Sequence, residues 1–375
     1  MRIYTKRSVY EAALDRIRWV FDEFERVAVS VSGGKDSTVL FHLALQVARE
    51  KNRLPLPVLW LDQEAEYAAT VDIVESWMTH PDVRPLWLQI PFRLSNATST
   101  VEHWLNCWAP EARDVWMRPQ HPLAITENRY GTDRFHDLFS AVCRAELGAP
   151  VACLVGLRAE ESLQRFIAMT YHPAYKWVTW GSGDKRKGYY ALSPLYDWTT
   201  ADIWHAIAEH DWPYNRVYDA LWRLGVPIRA IRVSSLTHEL SIHALRTIEA
   251  VEPDTYARLI RRLPGIHSFT KLGNDAWTID ELPAAFESWR EYRDYLLENL
   301  ITNPDWRERM RRMFERDDEN VGNLLGDRLY RAQIAAILTN DWEGTRHRQF
   351  QLHNDYMLAR EAHRAATAAS AASSR

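Results

Sequence analysis

From residue 8 the apolar positions recur at helical spacing: Val9, Ala12, Ala13, Ile17, Val20, Phe21 and Phe24. They make one face of an amphipathic helix over 8–26. The period then changes. Val27, Ala28, Val29 and Val31 form a short apolar run, Ser32-Gly33-Gly34 breaks it, and Leu40, Leu43, Ala44 and Val47 restore helical spacing to about Glu50. That is strand, tight turn, helix. Further runs of the buried-strand kind lie at Val58–Leu61, Leu86–Ile90 and Val151–Val155, with helical patterns at Glu64–Met78 and Glu160–Ala168. Parallel strands need crossover connections, so strands alternating with helices predict an α/β fold with a parallel sheet.

Other stretches are less regular. Residues 92–148 mix tryptophans, prolines and charges and read as a lid-like insertion with short helices. Trp177–Trp180 and Tyr189–Leu192 flank GSGDKRKG, which predicts a hairpin with a mobile, charged tip. Thr199 or Thr200 caps a helix that has Asp202 in its first turn, and residues 215–224 begin another. After Val226 the chain reads as helical and arginine-rich, clearest at Ala250–Arg262, Ala284–Asn299 and Asp305–Arg316. Residues 362–375 are mostly Ala and Ser, with little to bury, and predict a disordered or frayed tail.

The chain has 375 residues, 46% hydrophobic, and a net charge of −4. That allows one large domain or two ordinary ones and excludes a bulk nucleic-acid binder. Cys107, Cys143 and Cys153 show no CxxC spacing, which argues against a disulfide framework or a cysteine zinc site. No apolar run approaches the roughly 20 residues that span a bilayer. The expected setting is soluble, reducing and cytoplasmic, with no membrane contact. Most of the seventeen tryptophans are expected in the core.

Chemistry gathers at strand ends. In VAVSVSGGKDS, paired glycines let the backbone turn tightly and let a ligand approach closely. Amides of the loop and first helical turn, with the helix dipole, make an anion site. Lys35 adds a charge suited to phosphate, and Ser32 and Ser37 add hydroxyls. The glycines abut the lysine, so this is not the Walker pattern. Asp62, in LDQEAEY, closes a strand, where it could hold a ribose hydroxyl or magnesium; Asp36 is the second carboxylate option. Glu64 and Glu66 read as compensation of a helix dipole. In GLRAEESLQR, Gly156 would let the backbone pass a ligand. Arg158 and Arg165, with Glu161 between them on one helical face, suit sulfate or phosphate oxygens; an Arg–Glu–Arg ion network is the alternative. Arg258, Arg261, Arg262, Arg307, Arg309, Arg311 and Arg312 read equally as solvated helix faces or as a binding surface.

SGGKDS resembles the PP-loop of the adenine-nucleotide alpha-hydrolase superfamily. With GLRAEES, PLYDWTTADIW and PYNRVYD downstream, the chain resembles the phosphoadenosine phosphosulfate (PAPS) reductase family, and is similar also to the small subunit of ATP sulfurylase. The likeness is greatest to immunoglobulin-binding regulator A-type proteins of bacteria, phage and mobile elements. It implies a Rossmann-like parallel sheet with helices on both faces, ATP or PAPS as ligand, and Mg2+. It implies a nucleotide site of Ser30, Ser32, Gly33, Gly34, Lys35, Asp36, Ser37, Asp62, Gly156 and Arg158. Lys35, Asp36, Arg158 and Arg165 would be catalytic, and Asp36 and Asp62 would place the metal. Residues 27–226 would be the nucleotide domain, preceded by a helix at 1–26 and followed by a helical region, 227–361. Three functions stay open: ATP cleavage or adenylyl transfer at the alpha phosphate; PAPS binding with a redox partner; and nucleotide-dependent regulation with a ParB/sulfiredoxin-like partner and DNA. Sulfate as co-substrate and a homo-oligomeric state are open too. The family's reductases use a catalytic cysteine in a Glu-Cys-Gly-Leu-His-like segment, and no cysteine follows Cys153 in this sequence.

Overall fold

A computed structural model describes residues 6–99, 102–170, 173–228, 231, 233, 236–237, 242–263, 266, 281–341 and 344. The tail at 362–375 lies outside them. The chain divides into two units: Met1–Leu94 with Leu105–Pro264, and Ser95–Trp104 with Gly265–Arg375.

The first unit opens with α1 (Val9–Glu23), fixed at its start by a capping box between Ser8 and Glu11. Strand β1 (Val27–Ser30), α2 (Lys35–Glu50), β2 (Leu56–Leu61), α3 (Ala68–Met78) and β3 (Val83–Leu88) follow. Strands β4 (Phe92–Ser95) and β5 (Trp104–Cys107) pair in a separate two-stranded sheet. Next come α4 (Phe135–Leu147), β6 (Val151–Val155), α5 (Leu163–Thr170), β7 (Gly181–Asp184), β8 (Tyr189–Leu192), α6 (Thr200–Glu209), α7 (Val217–Arg223), α8 (Ile242–Val251) and α9 (Pro253–Arg262).

The main sheet has the order β3-β2-β1-β6-β8-β7 and is parallel except for β7 at one edge. Helices cover both faces. Val27 and Val29 belong to the core cluster that contains α1 and α2, while Cys153 on β6 lies toward α4, which packs on β6 and β8. Burial on both sides is why the strands read as unbroken apolar runs. Strand order reverses between β1 and β6, with Ser30 level with Val155. In such sheets the ligand crevice lies at the carboxyl ends of the two strands flanking that reversal.

The PLYDW turn is structural. Arg16 of α1 donates to both Asp197 carboxylate oxygens, at 2.8 and 2.6 Å, and to the Pro194 carbonyl at 2.9 Å. Trp198 Nε1 donates to the Val9 carbonyl, and Thr199, rather than Thr200, forms the capping box with Asp202. The second unit contributes α10 (Trp289–Leu300), α11 (Pro304–Leu325) and α12 (Asp327–Leu338), packed through Leu297, Trp306, Met310, Phe314 and Ile337.

Several sequence expectations need revision. Helix α3 starts at Ala68, not Glu64, because the acid-rich loop before it is pinned by buried contacts and Glu64 has φ +62°. Within 92–148, α4 is a full crossover helix onto β6. The hairpin's first strand is Gly181–Asp184, not Trp177–Trp180. Its glycines are sterically required: a Cβ on Gly183 would stand 2.5 Å from the Ala174 carbonyl oxygen and 2.6 Å from the Tyr190 ring. The basic tip precedes β8, so it lies at the sheet end opposite the crevice. Gly183→Ala should lower stability by about 1–3 kcal/mol, the usual cost of overpacking; an unchanged urea midpoint would contradict this packing.

Candidate functional site

The turn after β1 ends in the N-terminus of α2. Gly33 has φ +69°, and a Cβ there would sit 2.7 Å from Thr70 Cγ2 on α3. Both facts restrict the position to glycine. Gly34 is the N-cap of α2, and its carbonyl accepts from Ser37 Oγ at 2.9 Å and Thr38 Oγ1 at 3.1 Å. Ser32 is exposed; its amide donates to Ser37 Oγ at 3.3 Å. The Lys35 amide donates to Tyr218 Oη at 3.1 Å. The amides of Gly33, Gly34, Asp36 and Ser37 have no acceptor among the described residues. Four amides without acceptors at the positive end of a sixteen-residue helix are the kind of donor set that suits an anion.

Two residues of PYNRVYD hold this loop, and sequence reasoning missed both. Asn215, 1% exposed, donates through Nδ2 to the Gly33 carbonyl at 3.2 Å and to Thr70 Oγ1 at 2.8 Å. Tyr218 supplies the acceptor for Lys35 N, and its ring faces Lys35 Nζ at 5.5 Å. The signal available was Asn and Tyr on either side of a helix start; nothing in their spacing pointed to a loop some 180 residues away.

The charged groups form a chain at the crevice. Lys35 Nζ lies 3.3 Å from Asp36 Oδ2, and Arg158 Nε donates to Asp36 Oδ1. Arg158 is buried and also contacts Glu160 at 3.1 Å and the Trp198 carbonyl at 3.4 Å. Gly156 has a different role from the expected one. A Cβ there would meet the Asp36 and Ser37 backbone at 3.1 Å, so this glycine admits the first turn of α2 rather than a ligand. Arg158 and Arg165 do not share a helical face. Arg158 is extended before a 3-10 turn at Ala159–Glu161, and Ser162 separates that turn from α5. Glu161 pairs with both arginines, so the ion network forms, with Arg165 at its exposed end. Ser30 closes β1 beside Val155.

Asp62 is not disposed as expected. It is 0% exposed, and its carboxylate accepts from Trp87 Nε1 and Gln89 Nε2, both at 2.9 Å, from the Glu64 amide at 3.0 Å, and from Arg118 at 2.5 Å. Glu64, also 0% exposed, accepts from Arg262 of α9 at 2.6 and 3.2 Å and from the Trp108 amide at 2.7 Å. Glu252 caps α3, accepting from the Ala68 and Ala69 amides at 2.7 and 3.0 Å. The crowded acids are therefore structural anchors, not a metal site. Asp36 faces two cations and Asp62 four donors, and among the described residues no three His, Cys, Asp or Glu side chains are grouped to hold an ion. The residues do not fit a protein-built magnesium site.

All three cysteines are free and buried, and burial, reinforced by Glu64, pushes the Cys107 thiol well up. The arginine clusters are largely spent on the chain itself. Arg261 donates to the Asp114 carbonyl, Arg262 holds Glu64, Arg307 holds the Ile301 carbonyl, and Arg311 and Arg312 pair with Glu308. Among the described residues no helix is long and apolar enough to cross a membrane.

The fold and loop define a PP-loop type of α/β domain. The model of the phosphoadenosine phosphosulfate reductase domain matches residues 26–273, and the chain belongs to that family. A domain of unknown function (DUF3440) matches residues 225–343. Escherichia coli (strain K12) YbdN, an uncharacterized protein, is 30% identical over 282 residues, 70% of this chain. The match covers 66% of YbdN, just under two thirds of its length. The adenosine 5'-phosphosulfate reductase of Allochromatium vinosum is 26% identical, over 56% of this chain and 69% of its own. The PAPS reductase of Candida auris, solved with phosphate, is 16% identical with a TM-score of 0.32 over 58% of this chain and 93% of that one.

Asn215→Leu should leave the Gly33 carbonyl and Thr70 hydroxyl unanswered, at a cost of about 1–3 kcal/mol. Hydrogen exchange across residues 32–38 should quicken in that variant. An unchanged urea midpoint together with unchanged exchange would show that Asn215 does not hold the loop.

Proposed function

We propose that the chain is a PP-loop adenine-nucleotide enzyme of the immunoglobulin-binding regulator A type, related to the ATP sulfurylase small subunit. It cleaves ATP at the alpha phosphate or transfers the adenylyl group in sulfur-related chemistry. One observation carries the reading: four amides without acceptors beside Lys35, at the sheet's reversal point. An anion with several oxygens suits such a set, and a polyphosphate would meet it with its backbone-facing oxygens.

In this reading residues 27–226 bind the nucleotide, with Ser30, Ser32, Gly33, Gly34 and Ser37 at the phosphates. Lys35 neutralises charge that develops on the alpha phosphate. Arg158 holds Asp36, and Asp36 holds Lys35 Nζ until a phosphate competes for it. Sulfate is the co-substrate, and Arg165, at the exposed end of the ion network, is its expected contact. Catalysis is positioning and charge neutralisation, with no protein nucleophile and no step routed through magnesium.

A second reading has PAPS as ligand and a separate protein as reductant. The burial of every cysteine favours it over reduction by this chain alone, since a thiolate is the nucleophile such reduction needs. The regulatory reading, with a ParB/sulfiredoxin-like partner and DNA, draws no support from arginines already bonded to other groups of the chain.

Lys35→Ala should lower turnover by roughly 100- to 1000-fold, the range for losing one donor at a charge-stabilising site. Pyrophosphate release from labelled ATP reads the first function, and binding of PAPS without pyrophosphate release from ATP reads the second. Unchanged turnover in Lys35→Ala would remove the loop from the chemistry.

A further inference from the structure

Tyr218 is the second residue of α7, and its ring is held between two neighbours. Trp204 of α6 meets it edge-on, with ring centroids 5.1 Å apart, and Lys35 Nζ lies 5.5 Å from its centroid. Asn215 accepts from the Val217 amide at 3.0 Å and so fixes the start of the helix. The side chain is only 4% exposed, yet its hydroxyl reaches the glycine loop. Oη accepts from the Lys35 amide at 3.1 Å, and a Cβ on Gly34 would stand 3.3 Å from it.

The amides in the first turn of a helix point outward along the axis, side by side. The acceptor of the Lys35 amide therefore stands next to the places where acceptors of the Asp36 and Ser37 amides would stand. Those two amides have none among the described residues. The phenol thus lies on the open side of the loop, within the donor set itself. A phenolic hydroxyl can accept and donate at once. Tyr218 is used as an acceptor, but no described residue takes its proton. A buried donor without an acceptor is costly unless something else receives its proton. Burial and the charge of Asp36 push the phenol well above its ordinary value, so it stays a neutral donor.

We propose that Tyr218 is a binding residue of the glycine loop, its Oη–H donating to a phosphate oxygen of the bound nucleotide while Oη keeps the Lys35 amide. The proposal rests on the nucleotide reading and deepens it by adding a side-chain donor to the backbone set. The bond from the Lys35 amide polarises the hydroxyl and strengthens its own donation. Lys35 and Tyr218 then bring an ammonium and a neutral donor to the same anion.

The test is calorimetric titration of the full chain and of Tyr218→Phe with ATP and, separately, with inorganic pyrophosphate. Tyr218→Phe keeps the ring against Trp204 and Lys35 and removes only the hydroxyl. It should bind both ligands roughly 10- to 100-fold more weakly, the effect of losing a hydrogen bond to a charged group. Equal or tighter binding would overturn the proposal and leave the nucleotide reading standing, because the hydroxyl would then merely fill the place of a ligand oxygen. Absence of ATP and pyrophosphate binding by the wild-type chain would overturn both.

A second measurement separates donation from support of the loop and keeps the hydroxyl in place should Tyr218→Phe fail to fold. Monofluoro- and difluorotyrosine, fluorinated beside the hydroxyl, are placed at position 218 alone. Fluorine makes the phenol a better donor and a poorer acceptor. At about pH 6, well below the range in which a phenol ionises, pyrophosphate should bind progressively more tightly along the series. Unchanged or weaker binding would show that Tyr218 serves the loop only as an acceptor, and would overturn the proposal.

Discussion

Backbone amides at the start of a helix need acceptors, and in this fold the first turn of α2 is deliberately short of them. One amide, that of Lys35, is taken by a tyrosine hydroxyl; four others have no acceptor among the described residues. Leaving so many donors unanswered is costly unless water or an anion meets them. The surroundings keep them that way. Gly156 lets the helix start press against β6, Gly33 turns against α3, and Asn215 ties the turn to Thr70. The proposed polyanion site rests on this geometry before any side chain is counted.

The contrast between α2 and α3 sharpens the point. Both helices begin at the carboxyl end of the sheet, beside β1 and β2. The start of α3 is closed by the carboxylate of Glu252, brought in from the α8–α9 junction. Among the described residues the start of α2 has no such carboxylate; its own Asp36 is drawn aside by Lys35 and Arg158. The same physics therefore gives a structural cap in one case and, in the proposed reading, a ligand site in the other. It also shows why α8 and α9 belong with the sheet: Arg262 and Glu252 are part of what fixes the loop behind the crevice.

Much of this was legible in the residues. Apolar runs and helical spacing gave β1, α2, β6 and the parallel class, because strands buried on both faces leave an unmistakable pattern. SGGKDS marked the turn, since few residues other than glycine accept φ +69°. What stayed hidden depended on contacts distant in sequence. Asp62 looked like an open ligand because its donors, Trp87, Gln89 and Arg118, come from a neighbouring strand and a remote loop. Asn215 and Tyr218 looked like scaffold because their target lies across the domain. Gly156 looked like a ligand glycine because a close backbone and a close ligand leave the same mark on a sequence. The strand at Gly181–Asp184 was missed because its glycines have no β propensity and are there only for clearance.

The most direct measurement is of the amides themselves. With 15N placed only on glycine, a chain of fourteen glycines gives a spectrum in which single residues can be followed. On adding ATP or PAPS, the Gly33 and Gly34 signals should move and saturate with the ligand, while Gly225 and Gly131, which stand in open space, stay put. Saturable binding that leaves Gly33 and Gly34 unmoved would contradict the anion cradle at the start of α2.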